Sequence, residues 1–323
     1  MPMPSNARRS AASCHMSAPD ISVVIPCYNA GANITRLLEQ LGAQSIPRDR
    51  YEIIVIDDGS TDDTAERVEA FENVQLLKQK QCGPGAARNL GVEKSRGRLV
   101  LFVDSDLEVA EDLLQRHLGF HDAHPDIALT GGGVEPPKKL PVLSWVLADH
   151  FASWFNVHPK VRYPDEPEYL PSLNMCIKKD LVAGKHGLTF PDGLKHTGED
   201  VLYCHALRAK GLKLAFLPNA IVRHHDRTTM ADHLNHMYRW GHHAPFVRGA
   251  LRDLKFGFLF PRNPLLTPFT GPLIVAGYTW LIWKSWLSSR PIAVTLALPQ
   301  ILLGRAVYAR GVLHGTMERW RRG

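Results

Sequence analysis

A chain of 323 residues, 45% hydrophobic and 22% charged, has the size and composition of one large globular domain plus an appendage, which excludes a fibrous or wholly disordered protein. The formal net charge is +6, but the excess sits late, where Arg305, Arg310, Arg319, Arg321 and Arg322 face only Glu318. These cations lie beside an apolar tail and are not interleaved with aromatics, so no nucleic-acid partner is expected. Five cysteines, widely spaced and without a CxxC pair, fit reduced thiols better than a disulfide framework.

Residues 1–19 are small, polar and proline-bearing, and are expected to form a disordered leader without an export signal. From Asp20 onward, short apolar runs alternate with amphipathic stretches. ISVVIP (21–26) reads as a buried strand, and Ile34, Leu37, Leu38 and Leu41 mark one helix face by their spacing. YEIIVID (51–57) and VQLLK (74–78) are further strands, with a helix between them that Thr61 or Asp62 could cap. Pro84 suits the first turn of a helix running through Gly91, and RLVLFVD (98–104) is a fourth strand. Repeated β-α-β units imply a mostly parallel, Rossmann-like sheet flanked by helices, with ligands at the carboxyl ends of its strands.

Past residue 110 the pattern loosens. An aromatic amphipathic stretch (140–155), a strand (173–179), a helix (198–211) and a strand (212–218) follow, then a His-rich segment from His224 to His243. Residues 264–283 carry no charge over a length that could cross a bilayer, and 291–304 form a shorter uncharged piece. Between them Lys284, Trp286 and Arg290 have the composition favoured at lipid headgroups. The tail therefore reads as a membrane hairpin or as interfacial helices, the alternative being a buried hydrophobic subdomain.

Three motifs carry chemistry. In FVDSD (102–106), Asp104 and Asp106 sit two apart in an extended segment, so both carboxylates face one side where a buried strand meets solvent. Paired hard oxygens suit a divalent cation carrying phosphates, although DxD by itself also fits an Asp-rich turn. VIDDGSTDDT (55–64) places Asp57 and Asp58 at another strand end, able to accept hydrogen bonds from a ribose or base. GPGAARNLG (83–91) offers free N–H groups at a helix start, plus Arg88.

Together ISVVIPCYN, VIDDGSTDDT, GPGAARN, FVDSD and, further on, GED (198–200) resemble the family-2 glycosyltransferases of GT-A fold, over about residues 20–245. The resemblance implies an α/β GT-A domain with a nucleotide-binding half (20–110) and an acceptor half (111–245). A linker (246–263), a hydrophobic membrane hairpin or interfacial helices (264–313) and a basic tail (314–323) would follow. It also implies that Pro26, Tyr28, Asn29, Asp57 and Asp58 hold the nucleobase and ribose of a sugar nucleotide. Arg88 would contact the base or diphosphate, Asp104 the ribose or sugar. Asp106, with Asp104 and with His224 as a further ligand, would bind Mg²⁺ or Mn²⁺. Asp200 matches the family's general base, with Glu199 beside it steering the acceptor. His236, Arg239 and Trp240 resemble the QxxRW element of processive relatives with His in place of Gln, which points to single transfer. There Trp240 would stack on an acceptor sugar and Arg239 would stabilise the departing diphosphate.

The reading is an inverting, metal-dependent transferase at the cytoplasmic face of the inner membrane. Its donor would be a nucleotide sugar, and its acceptor a hydroxyl of a lipid-linked or polysaccharide molecule. A polyprenyl-phosphate acceptor and an inactive membrane scaffold are the alternatives.

Overall fold

The computed structural model describes residues 18–322 apart from 139, 142–143, 162–165, 192–196, 226–227, 252–253 and 255. Most of the expected leader (1–19) therefore lies outside the described residues. The first half follows the hydrophobic pattern closely. Strands β1 (Ile21–Cys27), β2 (Tyr51–Asp57) and β3 (Val74–Lys78) alternate with helices α1 (Gly31–Gly42), α2 (Thr64–Glu69) and α3 (Pro84–Lys94) before β4 (Leu99–Val103). Ile34, Leu37, Leu38 and Leu41 of α1 are all buried, as their spacing requires. Asp62 ties the starts of two helices together: its carboxylate accepts from the Gly31 N–H at 3.1 Å and from the Thr64 N–H at 3.1 Å.

The second half is mixed rather than parallel. It comprises β5 (Leu107–Val109), α4 (Leu113–Ala123), β6 (Ile127–Glu135), α5 (Trp145–Trp154), β7 (Asn174–Lys178), α6 (Glu199–Ala209) and β8 (Lys213–His224). All eight strands form one sheet in the order β3-β2-β1-β4-β7-β6-β8-β5. Strands β1 to β4 run parallel to one another, β7 is antiparallel to both β4 and β6, β8 is parallel to β6, and β5 is antiparallel to β8. The chain builds outward from β1 through β2 to β3, then returns to the other side of β1 with β4. That reversal opens a crevice at the carboxyl ends of β1 and β4, where an open α/β sheet places its ligands.

Four helices complete the chain: α7 (Met230–Val247), α8 (Thr267–Trp286), α9 (Pro291–Leu296) and α10 (Leu298–Arg321). The expected boundary between hairpin and basic tail at 313/314 has no counterpart, because α10 continues unbroken to Arg321. α10 lies along α7, and glycines set the spacing. A Cβ on Gly241 would sit 2.0 Å from the Tyr308 carbonyl oxygen, and one on Gly311 2.4 Å from that of Tyr238. Phe151, Met237, Ile274, Trp286 and Ile301 from α5, α7, α8 and α10 form a second core beside the sheet's own. The expected linker joins it too, through buried Leu259 and Phe260.

The segment Pro264–Trp286 is long and apolar enough to cross a membrane, and only 22% of its most apolar window is buried. Apart from Tyr28 and Met230, every exposed large hydrophobic among the described residues lies between Phe256 and Trp320, including Leu265, Phe269, Trp280 and Ile292. Such clustering marks an interaction surface rather than scattered exposure.

Because the backbones of α7 and α10 touch, Gly311→Leu must force them apart. It should lower stability by about 1–3 kcal/mol, read as a lower thermal midpoint of the full chain. An unchanged midpoint would mean that the helices do not approach as described.

Candidate active site

A cavity of about 570 Å³ occupies the crevice and extends between the sheet and the C-terminal helices. One wall is the strand rim: Pro26, Cys27 and Tyr28 at the end of β1, Asp58 after β2, and Asp104 to Asp106 after β4. The opposite wall comes from the start of α6 (Gly198 to Val201), from Trp154 and Tyr169, and from His236, Trp240 and Arg248 at or near α7.

The rim loops are held by their own polar groups. Asn29, in the left-handed region at φ 51°, donates its N–H to the Ser60 hydroxyl at 2.9 Å and accepts from the Thr61 N–H at 2.8 Å. Asp57 accepts from the Ser60 N–H at 2.9 Å. Asp58 accepts from the Gln79 side chain at 2.7 Å and from the Cys82 and Gly83 N–H groups at 2.8 Å each. Both Asp58 oxygens thus anchor the loop that launches α3, a duty that its sequence context did not reveal. Tyr28, 48% exposed, is left with its ring at the cavity mouth.

Arg88 is 2% exposed and bridges the two halves. One nitrogen reaches Asp104 at 2.7 Å, and another reaches Glu199 at 2.9 Å. Burial disfavours its charge, yet the two carboxylates prevail and hold its pKa above the ordinary value. Arg88 is therefore committed to protein carboxylates instead of offering its fork to a diphosphate, and Glu199 is committed to Arg88 instead of an acceptor.

Asp200 is the carboxylate left over. Gly198, at φ 97°, turns the chain into α6 so that Glu199 and Asp200 occupy its first turn. Asp200 keeps a local bond from the Val201 N–H at 2.8 Å and faces the cavity. Burial, then the neighbouring Glu199 charge, raise its pKa from 3.8 to about 7, against the pull of Arg88. A carboxylate tuned near neutrality is what general-base chemistry requires.

Asp106 and His224 meet because the backbone makes them. Leu107 of β5 pairs with His224 of β8, and the His225 N–H donates to the Asp106 carbonyl at 3.2 Å. The His224 Nε2 lies 3.5 Å from an Asp106 oxygen, and both side chains line the cavity. An imidazole nitrogen and a carboxylate oxygen at this separation fit two positions of a divalent cation's shell. Among the described residues no three His, Cys, Asp or Glu side chains gather to hold an ion by themselves, and Asp104 is drawn to Arg88.

The HxxRW element divides. His236 and Trp240 line the cavity with ring centroids 4.4 Å apart, and Trp240 meets Trp154 edge-on at 6.4 Å. Arg239 is exposed on another face of α7 and does not line the cavity. Sequence reasoning missed Asp149, buried in α5, which binds His233 and His236 through one oxygen at 2.7 and 3.0 Å. A lone acid inside LPVLSWVLADHFASWF was the available signal. It also missed Trp154, Tyr169, Arg248 and Arg305, which no motif frames. The glycine run from Gly131 lies in the second half of β6, where Asn174 fills the space that a side chain at Gly132 would need.

Two outcomes test this site. Arg88→Ala leaves Asp104 and Glu199 facing each other without a counter-ion and should cost about 3–5 kcal/mol in denaturant unfolding. For Asp200, a folded-state pKa of about 7 against 3.8 means that protonation stabilises the fold, and that this stability is lost as pH rises through 7. The thermal midpoint of Asp200→Asn, relative to the native chain, should therefore be higher at pH 8 than at pH 5. A difference independent of pH would show that the carboxyl is not perturbed.

With the geometry in place, relatives can be compared. The family model Glycosyl transferase family 2 matches residues 22–169, and Glycosyl transferase family group 2 matches residues 99–308. Glycosyltransferase AglE of Haloferax volcanii is 29% identical over 211 residues, 64% of this chain and 67% of that protein. Poly(ribitol-phosphate) beta-glucosyltransferase of Bacillus spizizenii is 38% identical over 209 residues, 60% of this chain but 31% of the relative. Poly(ribitol-phosphate) beta-N-acetylglucosaminyltransferase TarS of Staphylococcus aureus is 40% identical over 108 residues, so the match spans only 19% of its length. Among solved structures, the mannosyltransferase PcManGT of Pyrobaculum calidifontis, in complex with GDP-Man and Mn²⁺, superposes with a TM-score of 0.60 at 18% identity. That match covers 95% of this chain and 88% of the other. TarS 1-349 gives 0.52 at 21%, covering 90% and 92%. Motifs, sheet order and family matches agree: the chain is a glycosyltransferase of family 2 with the GT-A fold.

Proposed function

We propose that the protein transfers a sugar with inversion from a nucleoside-diphosphate sugar to a hydroxyl of a lipid-linked or polysaccharide acceptor. One observation carries the reading: Asp200, tuned to about 7, faces the same cavity as the rim formed by Tyr28, Asp104 and Asp106. The nucleobase and ribose lie against Tyr28, Asn29 and the Asp57–Asp58 turn. Asp104, oriented by Arg88, presents its second oxygen to the ribose or sugar. Trp240 and Trp154 give the acceptor sugar an aromatic wall.

In the chemical step Asp200 takes the proton of the acceptor hydroxyl while that oxygen bonds to the anomeric carbon. The bond from this carbon to the diphosphate breaks on the opposite face, and its electron pair leaves with the nucleoside diphosphate. Asp106 and His224 would hold Mg²⁺ or Mn²⁺, which when bound would supply positive charge to the leaving diphosphate. The imidazole favours Mn²⁺. PcManGT, crystallised with Mn²⁺ and a nucleotide sugar, supports this assignment.

The relatives that act on poly(ribitol-phosphate) and the exposed apolar face of 256–320 support a polymeric or amphiphilic acceptor met at a membrane. Cations along α8 to α10 (Lys284, Arg290, Arg310, Arg321) suit an anionic, cytoplasmic leaflet. We place the enzyme there, at the inner membrane.

Incubating the full chain with UDP-, GDP- and dTDP-sugars should reveal turnover that depends on Mn²⁺ and falls in Asp106→Ala. Its kcat/KM should rise with pH through about 7 as Asp200 ionises. Asp200→Asn should lose about a hundredfold or more in kcat while still binding donor. No metal-dependent turnover with any donor would sink the reading. In a flotation assay the chain should rise with anionic vesicles, and wholly soluble behaviour would remove the membrane.

A further inference from the structure

Beyond Asp200 the cavity continues into a cationic end that the proposed chemistry does not use. Arg248, at the end of α7, and Arg305, on α10, line it together with Tyr278 and Tyr308. Arg305 is 2% exposed. One of its terminal nitrogens donates to the Ala152 carbonyl at 2.7 Å, but its buried Nε has no partner. The Arg248 guanidinium sits 5.3 Å above the Tyr169 ring, and that of Arg305 lies 5.3 Å from the Tyr308 ring centre. Among the described residues, no carboxylate pairs with either arginine, and the hydroxyls of Tyr278 and Tyr308 make no hydrogen bond. Asp149, the buried acid whose charge reaches Arg305, is engaged by His233 and His236. Glu168 acts on Arg248 only from a distance.

A purely structural role for Arg305, gluing α10 to α5 through the Ala152 carbonyl, accounts for one nitrogen. It does not account for a second guanidinium and two phenols converging without a counter-ion inside an enzyme cavity. Unpaired buried cations are costly, and the group that suits this donor set is a phosphate. Tyr169 feels the charges of both Arg248 and Asp200, which places this end beside the base. The helices that carry Tyr278, Arg305 and Tyr308 inward expose Leu273, Trp280 and Leu302 outward.

We propose that Arg248 and Arg305, with Tyr278 and Tyr308, form an anion subsite that holds a phosphate of the acceptor next to the hydroxyl that Asp200 deprotonates. Calling the ligand an acceptor rests on the transferase reading; the phosphate chemistry does not. Attack remains with the hydroxyl, because an ionised phosphate nucleophile needs no base.

The test is calorimetric binding to the full chain with the donor site filled by whichever of UDP or GDP it binds, plus Mg²⁺. Octyl phosphate and glycerol 3-phosphate are the probes, and octyl glucoside the neutral control. At least one phosphate probe should bind, Arg248→Gln should weaken it about tenfold or more, and Arg248→Lys should restore part of the loss. Binding of octyl phosphate alone assigns the phosphate to a lipid headgroup, whereas equal binding of glycerol 3-phosphate assigns it to a phosphate-containing polymer. If Arg248→Gln does not fold, Tyr308→Phe should still weaken the probe a few-fold. The subsite is overturned if neither probe binds, if the variants bind as the native chain does, or if octyl glucoside binds and is lost equally. Arginine-dependent phosphate binding without turnover of any nucleotide sugar would instead remove the transferase reading and leave the subsite standing.

Discussion

A buried guanidinium is costly unless opposite charge surrounds it, and Arg88 finds that charge in two places the chain keeps far apart. Asp104 follows β4 at the strand rim, and Glu199 opens the helix that carries Asp200. Removing either partner would strand charge in a low-dielectric interior, so the ion triad clamps the strand rim and the start of α6 into one geometry. It also divides the labour among neighbouring acids. Arg88 holds one oxygen of Asp104 and one of Glu199, Asp106 turns to His224, and Asp200 remains as the one whose burial and acidic neighbour raise its pKa.

The second constraint is the seam between α7 and α10. Glycine on both helices lets backbones touch, and α10 lends Arg305 and Tyr308 to the cavity wall. The same helices thereby serve two surfaces. Their inner faces bring Tyr278, Arg305 and Tyr308 to the site, while Leu273, Trp280 and Leu302 are exposed. Under the proposed function, this arrangement suits an amphiphilic acceptor, whose polar head would reach Asp200 while its tail stays out of water.

Much of the nucleotide-binding half was legible from residues alone. β-branched runs, the α1 stripe and Pro84 fall where the structure has them, because each element there is specified by its own local pattern. β5, α4 and β6 were not legible. β5 is three residues long, α4 buries histidines as well as leucines, and β6 contains three consecutive glycines; none of these shows a clean period. The reason for that glycine run is the close approach of Asn174 and Ala220 at Gly132, which no local pattern announces.

By itself the sequence determined the family, the strand ends that carry acids, and the identity of Asp200 as the candidate base, since these depend on short motifs in fixed order. Tertiary structure decided which of those acids are available. Whether Arg88 faces a ligand or two carboxylates, whether Arg239 reaches the cavity, and whether Arg248 and Arg305 do so instead depend on helix rotation and strand register across distant segments. The physical reason is that charge in a protein interior is governed by what surrounds it in space, and spacing along the chain carries no record of that.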